Sequence, residues 1–103
     1  MHGEYKVPGG KLVIVDLETK SDVIIRARVA GDFFLEPDEV LDDINRSIEG
    51  LSTGASHEDI EKAVTGAIPA DAVMLGFSAD SVATVVRRAL SEAADFADFE
   101  WEY

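Results

Sequence analysis

Cysteine is absent from this 103-residue chain. Its absence excludes a disulfide framework, a thiolate metal site and a cysteine nucleophile, along with iron–sulfur or persulfide carrier chemistry. Long apolar runs are missing too, and none approaches the roughly 20 residues of a membrane helix. The opening MHGEYKVPGGK has neither the charged nor the apolar region of a signal peptide, so a cytoplasmic address is expected. Lysine is scarce, confined to Lys6, Lys11, Lys20 and Lys62, and histidine occurs only as His2 and His57. With so few basic groups, nucleic acid and anionic membranes are excluded as expected partners.

Acid is what the chain has in excess. It carries 21 Asp and Glu against 9 Lys and Arg, a net charge of -12. Such a surface repels itself unless salt screens it, and the screening length falls to about 3 Å at 1 M. We read the balance as a halophilic adaptation in preference to an acidic protein of ordinary habitat. Hydrophobic residues make up 47% of the chain, enough for one packed core, so a single domain over residues 1–103 is expected. No repeat and no second domain is visible.

Periodicity gives the elements. KLVIVDLE (Lys11–Glu18) and DVIIRARVA (Asp22–Ala30) are β-branched stretches separated by TKS, the pattern of an antiparallel hairpin. Strict alternation puts Val23, Ile25, Ala27 and Val29 on the core face, with Ile24, Arg26, Arg28 and Ala30 opposite. EYKV (Glu4–Val7) reads as a short edge strand turned back through PGG, with Pro8 ending its pairing. Pro37 is expected in the first turn of a helix with Val40, Leu41, Ile44 and Ile48 on one stripe and Gly50 as its stop. SHED (Ser56–Asp59) reads as a capping box before a second stripe of Ile60, Val64 and Ile68. Ser78 caps a third helix with Val82, Val85, Val86, Ala89 and Ala93 on its buried side. The expected class is α+β, a small antiparallel sheet of two to three strands with about three helices on one face. The tail, residues 95–103, alternates aromatics with acids and is expected to dock or fray.

Chemistry-bearing groups are thinly spread, and no catalytic and no metal-binding residue is assigned. His2 lies at a terminus, and His57 is expected to be a solvated residue of a helix's first turn, without partners at useful spacing. Asp42 and Asp43 are neighbours on a helix and point apart. Gly9 and Gly10 lie in a turn before a strand and do not match a phosphate loop. Asp32 follows Gly31 at a strand end, where a short carboxylate typically bonds the turn backbone. Phe33 and Phe34 follow at once. Adjacent side chains leave a chain in different directions, so one ring is expected in the core and the other at a contact surface.

Two runs, VPGGKLVIVDLE and ARVAGDFFLEPDEVLDDINRSIEGL, with the later LGFSADSVATVVRRAL, resemble the C-terminal accessory domain of lipoate–protein ligases. The likeness is greatest to the stand-alone archaeal form and covers about Glu4 to Leu90. It implies a fold akin to the iron–sulfur assembly scaffold. It also implies a non-catalytic accessory subunit that works with a separate catalytic domain to activate lipoate as lipoyl-adenylate. On that reading this chain binds no cofactor, and lipoate and ATP sit in the partner. Its partners would be the ligase catalytic domain and, at one remove, a lipoyl acceptor domain. The expected partner-binding residues are Lys6, Pro8, Gly9, Gly10 and Lys11 of the turn, with Gly31, Asp32, Phe33 and Phe34 of the corner. The alternative is a generic interaction or regulatory module on the same scaffold, binding another acyl or biotin ligase.

Overall fold

The β-branched stretches do form an antiparallel hairpin, in a computed structural model that describes residues 1–100 and side chains as far as Ser91. The chain runs β1 (His2–Lys6), β2 (Leu12–Lys20), β3 (Val23–Gly31), β4 (Phe34–Glu36), α1 (Glu39–Ile48), α2 (His57–Ala67), β5 (Val73–Leu75) and α3 (Ala79–Glu100). β1, β2 and β3 make one antiparallel sheet in that order, and β4 pairs with β5 in a second, two-stranded one. This is an α+β fold. The second sheet has no counterpart in the sequence reading, because three-residue strands are too short to show alternation. The proposed tail, 95–103, and Ala93 of the third stripe lie outside the residues whose side chains are described.

One assignment on β3 is corrected. Ile24, Ala27 and Val29 are buried, whereas Val23 and Ile25 are exposed, Ile25 by 52%. The cause is a bulge: Glu18 pairs with Arg26 but Thr19 pairs with Ile24, leaving Ile25 as the extra residue. An extra residue reverses the face on which everything beyond it lies. The hairpin turns through Ser21 and Asp22, both at positive φ (53° and 65°), as a two-residue loop of this twist requires.

The inner face of the larger sheet carries Val13, Val15 and Leu17 of β2 beside the three buried β3 residues. α1 and α3 pack against this sheet, and α2 packs against both helices. α1 buries Val40, Ile44 and Ile48, with Leu41 at the margin. Pro37 stands ahead of the Asp38 cap and not inside the first turn, its carbonyl accepting from Val40 N–H at 3.1 Å. α1 also shields the free edge of β3. Ala27 N–H donates to Glu49 Oε2 at 3.0 Å and Val29 N–H to Asn45 Oδ1 at 2.9 Å. Those bonds satisfy amides that would otherwise invite another strand. The Ser56–Asp59 capping box is present in both directions, and Ser78 accepts from Ser81 N–H at 3.2 Å to start α3.

α3 lies directly on β1. Val82, Val85, Val86 and Ala89 are wholly buried. A Cβ on Gly3 would stand 2.6 Å from Val85 O and 2.8 Å from Ala89 N, so only glycine allows this approach. Arg88 adds a clasp, its guanidinium 4.7 Å above the Tyr5 ring and donating to Glu4 O at 3.1 Å.

Candidate interaction surface

The residues marked by the sequence meet at one end of the larger sheet. The turn after β1 is closed by Gly10 N–H donating to Val7 O at 2.8 Å, and Lys11 N–H donates to Gly76 O at 2.9 Å. A Cβ on Gly10 would lie 2.7 Å from that same Gly76 oxygen. Across β2, Asp32 N–H donates to Leu12 O at 3.3 Å, and a Cβ on Gly31 would collide with the Leu12 carbonyl. The turn and the corner are thus tied to each other through Leu12, and to the stretch before α3 through Gly76.

The two consecutive rings separate here. Phe33 is half-buried and stacks on Phe77, centroids 3.8 Å apart and planes 17° off parallel. Phe77 itself is buried, so this stack fixes the corner to the core. Phe34 begins β4 and is 49% exposed. Its strand pairs Phe34 with Leu75, Leu35 with Met74 and Glu36 with Val73. Leu35 and Met74 turn inward, while Phe34, Glu36, Val73 and Leu75 share the outer face. Val73 and Leu75 were not singled out in the sequence. Their only signal was a run of four apolar residues between two turns, Ala72 to Leu75.

The remaining candidates are placed as follows. Pro8 and Gly9 are exposed in the turn. Lys6 folds back on it, its Nζ donating to Gly10 O at 2.6 Å and Val7 O at 3.2 Å, so the ammonium secures the turn from within. Lys11 is exposed and lays its stem across Gly76. The Asp32 carboxylate makes no hydrogen bond to the described residues; the bond at this corner comes from its backbone N–H, contrary to expectation.

Neither histidine is as loose as its position implied. His2 starts a paired strand, with Nδ1 2.7 Å from Asp16 and Nε2 2.8 Å from Glu4. Hydrogen bonding to Glu4, then to Asp16, holds its pKa above the ordinary histidine value. His57 is not simply solvated: Nε2 lies 3.0 Å from Asp80 Oδ1, and Nδ1 3.8 Å from Glu61. The three donors lie within 4.8 Å of one another, a metal-type set that α3 completes and local spacing could not reveal. At this surface position the set reads as an imidazole held between two carboxylates. The Thr84 hydroxyl also lies 3.3 Å from His57 Nε2, but it donates to Asp80 O at 3.0 Å within its own helix. Among the described residues no helix is long and apolar enough to cross a membrane.

Taken together, the geometry describes an α+β module with exposed apolar residues, Phe34, Val73 and Leu75, gathered on the outer face of β4–β5. No protein-family model matches the chain, and no curated protein matches its sequence. Among solved structures, it is similar to a chain of the archaeal lipoylation system of Thermoplasma acidophilum, a bi-partite lipoate protein ligase and its E2 lipoyl domain. The likeness has a TM-score of 0.59 at 19% identity, spanning 84% of this chain and 98% of that one. At that identity it shows a shared fold.

Proposed function

We propose that this chain is the non-catalytic accessory subunit of a two-part lipoate–protein ligase in the cytoplasm. It is inactive alone. With a separate catalytic chain, which holds lipoate and ATP, it supports activation to lipoyl-adenylate and so lipoylation of an acceptor domain. The observation that carries this reading is the extent of the fold likeness: nearly the whole of the Thermoplasma chain, 98%, is matched by this one. The meeting of PGGK with GDFF at one end of the molecule supports it further. An acyl-adenylate hydrolyses where water reaches it, so a second body that orders covering loops and excludes water helps without supplying a nucleophile.

The test mixes this chain, in molar salt, with the ligase catalytic chain of the same organism and follows lipoate- and ATP-dependent adenylate formation. Activity confined to the mixture is the expected result. Full activity from the catalytic chain alone, unchanged when this chain is added, would remove the accessory role.

A further inference from the structure

The outer face of the β4–β5 sheet is apolar where it should be wet. Phe34, Val73 and Leu75 are exposed by 49%, 44% and 59%, and they cluster on one side of two short strands. Phe34 and Leu75 stand directly opposite each other in the ladder, close enough to make one continuous surface. Beside them runs a shallow groove of about 310 Å³, bounded by Glu36, Pro37 and Asp38. Clustered large hydrophobics of this kind mark a contact site, whereas single exposed ones need no explanation.

Charge decides what fits there. Residues 30–38 and 69–76, which build the surface, contain no lysine or arginine but four acids, Asp32, Glu36, Asp38 and Asp71. Against them stands one lysine, Lys11, that reaches the surface from the turn with its stem across Gly76. All four acids are exposed. A second copy of this chain would bring two acidic rims together, and an anionic membrane would be repelled. We infer that the outer β4–β5 face, centred on Phe34 and Leu75, docks onto an apolar patch ringed by lysine or arginine on the catalytic chain. This rests on the accessory reading above and adds the surface and the chemistry of its complement. The Phe33–Phe77 stack then serves the interface from behind, holding the ribbon that presents Phe34.

The experiment measures the affinity of the intact chain for the ligase catalytic chain, with Leu75→Glu and Phe34→Gln as interface variants. Ile25→Glu, on the opposite open sheet face, is the control. Binding by the wild type that weakens at least 10-fold in the interface variants, and not in the control, is expected; circular dichroism checks each fold. Backbone amide exchange on the wild-type complex provides a readout free of mutation, with protection expected at residues 73–76. The combined Asp32→Asn, Glu36→Gln, Asp71→Asn variant should slow association and flatten its salt dependence. Tight wild-type binding with full affinity in Leu75→Glu and no protection at 73–76 overturns the surface while leaving the accessory role standing. No wild-type binding at all overturns both.

Discussion

Two sheet faces look outward in this protein, and they are dressed differently. The open face of β1–β2–β3 carries His2, Glu4, Asp16, Glu18, Arg26 and Arg28, with acids and bases set across from one another, and exposes Val23 and Ile25 beside the hairpin bulge. Asp16 pairs with Arg28 and Glu18 with Arg26 in the ladder, and His2 bridges Glu4 and Asp16. The outer face of β4–β5 offers Phe34, Val73 and Leu75 with one acid, Glu36. On the first face the charges are matched across the strands, whereas the second gathers three large apolar side chains within an acid-rich rim. The contrast shows where the chain has given up surface comfort, and that is where a partner is to be sought.

The largest effect should come from the hidden side of the larger sheet. Gly3→Val would drive a branched side chain into the α3 backbone at Val85 and Ala89, atoms that cannot step aside. Overpacking of this kind costs about 3 kcal/mol, at the upper end of the usual range. Chemical denaturation should show a midpoint far below wild type, or no folded protein. A wild-type midpoint would mean that α3 does not lie on β1 as described.

The next effect separates the two rings of the corner. Phe33→Ala removes a stack on a buried ring and should cost about 2 kcal/mol, less than a fully buried phenylalanine because Phe33 is half-exposed. Phe34→Ala removes an outward ring and should change stability by under about 0.5 kcal/mol. Its loss should appear in partner binding instead. Equal stability losses for both would erase the distinction between anchor and contact.

How much of this was legible beforehand depends on the range of the cause. The capping box at Ser56 and Asp59, the α1 stripe and the separation of Phe33 from Phe34 follow from neighbours in sequence and could be read there, though not which of the two rings turns inward. The bulge at Ile25 could not, since a period-two pattern continues in the residues even where the pairing slips by one. Nor could β5. Val73 and Leu75 acquire meaning only when Phe34 and Glu36 arrive beside them from the far side of two helices. His57 shows the same limit, because Asp80 reaches it from the start of α3.

The smallest effect tests whether the open face is as self-sufficient as its matched charges imply. His2 is held between Glu4 and Asp16, and bonding to them raises its pKa in the folded protein above the unfolded value of about 6.5. A raised folded pKa means that the protonated ring stabilises the fold. The contribution is full below the unfolded value and is lost as pH climbs through the folded one. Wild type should therefore exceed His2→Gln in stability below the unfolded value, with the gap closing as pH rises through the folded one. Both partners are exposed, so the gap is small and needs low ionic strength to be seen. The sharper readout is proton NMR of the imidazole. A midpoint above the ordinary histidine value would confirm that the open face binds its own charges, and an unshifted midpoint would show those pairs to be loose in solution.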